Sequence, residues 1–384
     1  METTGDRHLP LLFGKAALDA MVGSADPNAD YWRLFLECGP TLLAPNLDAR
    51  PGIVSVGASF SPLTVNHGEV DNSYPCSLLT QYVSYPLGEM RLLNGWLTRL
   101  AARAGLKGLG SILKFGAIDR LVQWNSWLMS TNLLPSLSVK SLEATTELLL
   151  QQFPQHAILV KNIHGRENPA LPGLFLQGGY QLLPSRKVYF FDGKSAAFLS
   201  RSNVKQDLSA LRNLKDYTQV EHHEFSSEDA PRIARLYEML YLEKHSRLNP
   251  AYTPLFVRKA LEKRALEFRG LRHSSGRIDA VFACFRQGNV TVTPFVGYDT
   301  AMAREPGFYR ILVAMLLKRV AEEGTLLNYS SGAGDFKRRR GGEGCIEFNA
   351  VYTRHLPWVR RLPFLLLEKC AQVFGRRFLE GSTV

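Results

Sequence analysis

The 384-residue chain has little from which to build a metal centre or a disulfide framework. Its five cysteines (Cys38, Cys76, Cys284, Cys345, Cys370) are scattered, with no C-x-x-C and no close Cys/His pairing. A structural zinc site needs four converging soft or imidazole ligands, usually in two close pairs, so isolated thiols are the expectation and no metal is expected. No window approaches about twenty uninterrupted apolar residues, which argues against a spanning helix. The start, METTGDRHLPLLFGK, lacks a long apolar stretch and a small-residue cleavage site, so a cytoplasmic location is expected. A phosphate loop of the form G-x-x-x-x-G-K-[ST] is absent, as are zinc-finger and RRM signatures, an aromatic single-strand platform and a long coiled-coil pattern. Acidic charge is also short: 35 Asp and Glu stand against 46 Lys and Arg, a net charge of +11. Such a balance attracts phosphates, nucleic acids, anionic lipids and acidic proteins alike, and selects a partner class without naming a partner.

What is present is a chain long enough for two ordinary domains, with globular composition: 45% hydrophobic and 21% charged. The first 200 residues read as mixed α and β. Gly52–Val56, Cys76–Ser84, Ala157–Val160 and Lys187–Phe191 read as strands, and Leu92–Ala104 as an amphipathic helix. SLEATTELLLQQF, from Ser141, reads as a helix that Ser138, Val139 or Lys140 caps, and Pro169–Gln177 as another. RSNVKQDLSALRNLK, from Arg201, places Val204, Leu208 and Leu211 on one face and basic residues elsewhere, as a basic linking helix would. The domain boundary is expected near residues 195–220, which gives an N-terminal domain, 1–195, and a C-terminal one, 196–384.

The second half is cleaner. Helices are expected over Pro231–His245 and Leu255–Leu266. Strands follow over Glu267–Arg272, Ile278–Arg286 and Val290–Tyr298, reversed at glycine-bearing turns. FYRILVAMLLKRVAEEG is a helix closed by Gly324, and LLNYS a short strand after it. The loop before that helix suits an anion: Gly307 permits close backbone approach, Pro306 restricts the chain, and Arg304 and Arg310 bracket it. Gly307, Phe308 and Tyr309 open the helix beside them.

These antiparallel strands, the R-x-x-G at a helix start and the strand after it resemble an acyltransferase fold of the GNAT type. YSSGAGDFKRRRGG resembles the G-x-G-x-[YF]-K-[RK]-x-x-G segment of FemAB-like and CelD-like members, which carry two GNAT-like halves in one chain. FLSRSNVKQDLSALRNL resembles their linking helix. The resemblance covers residues 190–355. It implies an α+β fold of tandem GNAT-like domains, each a mostly antiparallel sheet flanked by helices, and an N-acyltransferase moving an acyl group from a thioester donor to an amine. The donor would be acyl-CoA or acyl-phosphopantetheine, bound at Arg304, Gly307, Phe308, Tyr309 and Arg310. Tyr309 stands where such loops usually carry a small residue. That leaves less room for a pyrophosphate and favours a single-phosphate donor on an acidic acyl carrier protein, in keeping with the +11 charge.

Acyl transfer to an amine needs a base or relaying water, and an N–H donor for the oxyanion, which the strand around Pro294 to Val296 would supply. His245 has the right unperturbed pKa for a base, and the alternative is a histidine serving its own helix C-terminus. Asp335 would hold the amine or position water and Lys337 would meet a carboxylate or phosphate; a stabilised turn with an exposed lysine is the alternative. Glu243, Asn249, Tyr298 and Tyr329 are the further candidates for holding the acceptor. Arg338–Arg340 read as a solvated or carrier-facing patch, and His222 and His223 as a solvated pair. The segment from His355, rich in arginine, Trp358, Leu365 and Phe374, reads as a C-terminal helix whose apolar face covers the sheet, with peripheral membrane contact left open. Three competing readings remain: an aminoacyl-tRNA-dependent FemAB-like transferase, a non-catalytic nucleic-acid binder, which the missing signatures disfavour, and a degenerate GNAT-like scaffold that binds a carrier or peptide without chemistry.

Overall fold

The computed structural model describes residues 11–24, 26–56, 59–69, 71–90, 95–302 and 307–372. Twelve strands run in chain order as β1 (Leu12–Phe13), β2 (Arg50–Val56), β3 (Ser59–His67), β4 (Arg120–Trp124), β5 (Ala157–Ile163), β6 (Gln181–Asp192), β7 (Tyr217–Val220), β8 (Glu267–His273), β9 (Ile278–Gln287), β10 (Val290–Tyr298), β11 (Leu326–Asn328) and β12 (Glu343–Tyr352). The chain divides into two compact units. Of the described residues, the first takes those up to 185 and from 347 onward, apart from Leu42–Ala44; the second takes those three residues and 186–346. The division read from sequence, 195/196, therefore differs from this grouping chiefly in the C-terminal segment. Phe348–Tyr352 of β12 pair with β5, and that draws the segment to the first unit.

Both units are built to one plan. In the first, β1, β2, β3 and β4 pair antiparallel in turn, β4 pairs parallel with β5, and β5 antiparallel with β12. In the second, β7, β8, β9 and β10 pair antiparallel in turn, β10 pairs parallel with β11, and β11 antiparallel with β6. The parallel pair needs a crossover in each case, and a helix supplies it: Val139–Gln152 in the first unit and Phe308–Glu323 in the second. Each plan is completed by a strand exchanged along the sequence, since β6 follows β5 in the chain yet closes the second unit. The fold is thus mixed α/β, each unit built on mostly antiparallel strands flanked by helices.

Burial follows sequence pattern in most of these elements. The Phe308–Glu323 helix buries ten residues, Ile311 to Leu317 all among them, as a helix apolar nearly all round must. The helix over Ala230–Tyr237 lies so close to β10 that a Cβ on Gly297 would fall 2.6 Å from the Tyr237 nitrogen. Ser138 caps the Val139–Gln152 helix, with Ser141 completing a reciprocal box.

One element is opposite to its expectation. Cys76–Ser84 is no strand: the chain turns at Tyr74–Cys76 and is helical from Leu78 to Gly88. The cause is remote in sequence. The buried Asp119 carboxylate accepts the Leu78 and Leu79 N–H groups at 2.7 and 3.2 Å and the Ser77 hydroxyl at 2.6 Å, a long-range N-cap. The helix expected over Leu92–Ala104 runs over Trp96–Phe115, and residues 92–94 lie outside the described residues. The helix expected over Pro231–His245 is α-helical to Tyr237 and continues as a wider π-type coil to His245.

Candidate active site

The second unit contains a fork. Parallel pairing of β10 with β11 covers only Val290–Val292 against Leu326–Asn328. Beyond it β10 shifts register against β9, between Val292 and Phe295, and runs on to Tyr298. The chain after β11 goes the other way, because Tyr329 N–H donates to Tyr189 O at 2.8 Å and Tyr189 N–H to Ser330 O at 3.1 Å. The tail of β11 stays with β6 while β10 leaves it. At the fork, Asn328 is buried; its Oδ1 accepts the Ser330 N–H at 3.0 Å, and its Nδ2 has no partner among the described residues.

Beside the fork lies the start of the Phe308–Glu323 helix. Gly307 precedes it in the left-handed region (φ 76°, ψ 50°), where a side chain would be strained. Phe308 is fully buried against Tyr217, ring centroids 5.5 Å apart. Arg310 is half-exposed, its Nε 3.0 Å from the buried Asp207 carboxylate. Arg304 lies outside the described residues.

Tyrosines converge around the fork. Tyr329 donates a hydrogen bond to Tyr309. Burial pushes the Tyr309 phenol up to about 12 and the Tyr329 phenol well above the usual range, so both remain protonated at neutral pH. Tyr309 also meets Tyr298 and Phe336, at 6.4 and 4.9 Å between centroids. Tyr298 ends β10, and Lys244 Nζ donates to its hydroxyl at 3.1 Å. Tyr241 packs against the same core and places its ring 6.1 Å from that of His245. His245 itself is exposed, at the end of the π-type coil.

Several of the residues expected here have other work. Lys337 does not reach outward. It is buried, and its Nζ donates to the carbonyls of Tyr329, Ser330 and Ser331 at 2.6, 3.2 and 2.7 Å. Burial, with Arg186 adding to it, pushes its pKa well below the usual lysine range, while three carbonyls match the three donors of an ammonium. It is the clamp that shapes the turn after β11. Asp335 pairs with Arg338 one turn on in the Gly334–Arg339 helix.

The basic run is not a solvated patch. Arg338 also donates to the Tyr189 hydroxyl at 3.0 Å, and Arg340 is buried on Asp207 at 2.6 Å with its guanidinium 3.4 Å from the Phe336 ring centre. Arg339 alone of the three is exposed. Glu243 is held by Arg235 at 2.6 Å on the outer surface. Asn249 is buried and donates to Tyr241 O and Ser246 O, closing the π-type coil. His222 is no solvated residue: its Nδ1 accepts the Phe268 N–H at 3.1 Å, which leaves Nε2 to donate to Leu261 O at 3.2 Å.

Tyr309, Tyr298 and Tyr329 are therefore brought together at the fork, with Gly307, Phe308 and Arg310 alongside, whereas Lys337 and Asn249 are structural. Tyr241, Lys244 and Phe336 were missed, and so was Asp207. The one signal for Asp207 was its place in RSNVKQDLSALRNLK, an acid next to the apolar face of a basic helix.

Residues 200–338 match the family model of the acetyltransferase (GNAT) domain. The fork, the glycine-opened helix and the tyrosine cluster all fall within that GNAT segment, apart from its flanking strand β6. A search of curated proteins returns no match. Among solved structures, the chain is similar to L-PGS from Bacillus licheniformis (13% identity, 60% of this chain and 77% of that one, TM-score 0.44). It is also similar to the C-terminal domain of a putative lysylphosphatidylglycerol synthetase from Agrobacterium fabrum (13%, 61% and 77%, TM-score 0.44). A tandem GNAT protein from the clavulanic acid biosynthesis pathway aligns over 88% of this chain and 91% of its own, at 11% identity and TM-score 0.40. No group of three or more metal-ligating side chains is assembled among the described residues.

Proposed function

We propose that the chain is an N-acyltransferase whose reaction takes place at the fork of the second unit. The observation that carries this reading is the parting of β10 from β11 after three parallel pairs, beside a helix start opened by Gly307 and within the GNAT segment. A thioester laid into such a fork meets backbone donors on the freed edge of β10, around Pro294 to Val296, for its carbonyl oxygen. The phosphate of acyl-CoA or acyl-phosphopantetheine would rest at the start of the Phe308–Glu323 helix, where the dipole and Arg310 favour an anion.

The amine nitrogen attacks the thioester carbon, a C–N bond forms, and the oxyanion collapses as the C–S bond breaks. The nitrogen's proton passes to water, with the exposed His245 as the candidate base. The departing sulfur gains negative charge. A phenol at about 12 is too weak an acid to surrender its proton fully to a thiolate. Tyr309 instead donates a hydrogen bond to the sulfur, with its lone pairs already engaged by Tyr329. Holding the two substrates together supplies much of the remaining rate.

The shared plan of both units supports a FemAB-like and CelD-like two-half arrangement, and the bulky Tyr309 at the loop supports a single-phosphate donor. The test is a matched assay with acyl-CoA and acyl-carrier protein against a panel of amines, with product identified by mass. Transfer from the carrier protein to an amine is expected. No transfer from either donor to any amine would sink the reading.

A further inference from the structure

A second surface lies in the first unit. The helix over Trp96–Phe115 buries Gly110 and Leu113, with Leu106 and Leu109 half-buried beside them. On a helical wheel, Leu97, Leu100, Ile112 and Phe115 fall on the side opposite that buried stripe. These outward residues are 62%, 58%, 44% and 81% exposed, and Trp96 at the start of the helix is 68% exposed. A helix that only covered a core would turn polar residues to water. Here Ala101, Ala104, Gly105 and Gly108 continue the outward apolar side, and all four are exposed. The charged residues, Arg99, Arg103, Lys107 and Lys114, form a ridge along one flank, and the helix contains no acidic residue.

The C-terminal helix, Trp358–Cys370, packs on the end of the first. Arg360 donates to Gly116 O at 2.8 Å and Ala117 O at 3.2 Å, and Pro363 lies so close to Gly116 that no Cβ would fit there. Its apolar face is divided. Pro363, Phe364 and Leu367 are buried, while Trp358, Leu362 and Leu365, spaced at helical intervals, are 72%, 52% and 41% exposed. The expectation that its apolar face covers a sheet accounts for the buried set only.

We propose that the two helices form a peripheral binding surface for an anionic lipid bilayer. The charge argues for that occupant. A second copy of the chain would set the ridge of four basic residues against its like, and a bilayer bearing acidic headgroups neutralises it. The outward side has little polar surface for the hydrogen-bonded rim of a protein interface. Bilayer insertion requires none: an apolar face sinks to the acyl boundary and the basic flank stays with the headgroups. The helix of 20 residues is about 30 Å long, enough to lie flat as an anchor. It does not cross, since no helix among the described residues is long and apolar enough to span.

The test is vesicle flotation of the full chain with phosphatidylcholine alone and with phosphatidylcholine–phosphatidylglycerol mixtures, at low and high salt. Flotation with the anionic vesicles is expected, weakened by salt and reduced roughly tenfold or more on neutral vesicles. A Leu100→Glu, Phe115→Glu variant should lose binding by a similar factor and keep its circular dichroism and melting temperature, because both side chains already face solvent. Failure of the unaltered chain to float with anionic vesicles overturns the proposal. So does unchanged flotation of the variant, or equal binding to neutral vesicles. Concentration-dependent dimerisation that the same variant abolishes, with no vesicle binding, would assign the surface to a second copy instead.

Discussion

The buried carboxylate of Asp207 sits 2.6 Å from the guanidinium of Arg340, and Arg310 Nε approaches its other oxygen at 3.0 Å. One acid on the linking helix thereby fixes both the helix that opens the proposed donor site and the end of the glycine-flanked basic segment. Asp207→Asn leaves the Arg340 charge buried without a counter-ion. A loss of about 3–5 kcal/mol is expected in urea denaturation. Asp207→Leu combined with Arg340→Met should recover most of that loss, since replacing both partners removes the unpaired charge. A single-variant loss under about 1 kcal/mol would count against the pairing.

Lys337→Met removes the donors of three backbone carbonyls at once. The expected cost is about 2–4 kcal/mol, with faster hydrogen exchange concentrated at Tyr329–Ser331. If Lys337 instead met substrate, stability would be unchanged and only the Michaelis constant would rise.

Tyr309→Phe keeps the ring in the core and deletes one hydroxyl. If that hydroxyl supports the leaving sulfur, kcat falls by roughly ten- to a hundredfold while KM changes little. A matching rise in KM with kcat preserved would make Tyr309 a binding residue only.

His156 should give the first unit an acid-side loss of stability. Its Nε2 faces His67 Nδ1 at 3.1 Å. Burial first, then His67, Arg120 and Arg360, lower its pKa from 6.5 to about 4. The sign follows from proton uptake. Between those two values the unfolded chain binds a proton at this position and the folded chain does not, so acid favours unfolding. Stability is complete above 6.5, falls as pH drops toward 4, and gains no further loss from this group below that. Urea midpoints measured across the window should decline, and His156→Gln should flatten the decline. An equal slope in the variant would assign the effect to other groups.

The second half of the fold was legible because its strands and its long apolar helix carry strong local periodicity. The fork was legible only in outline: Gly307 and the strand after the helix announce it, but the register shift of β10 is a tertiary event. Lys337 was misjudged for a related reason. A lysine in a glycine-rich segment looks exposed until the preceding turn is seen to fold its carbonyls inward. Cys76–Ser84 failed because the cap that makes it helical, Asp119, is contributed from a distant part of the chain. The run KRRR shows the same limit, since the consecutive Arg338, Arg339 and Arg340 meet a tyrosine, water and a buried acid.

The exchanged strands have a consequence for biosynthesis. β5 leaves the ribosome early, but its partner β12 is made only after the whole second unit. At ordinary elongation rates that interval is on the order of tens of seconds. Throughout it, the nascent first unit carries an unclosed sheet edge, a template for pairing with other chains. Synthesis of β12, and not the appearance of the first half, sets the moment when that edge can be sealed.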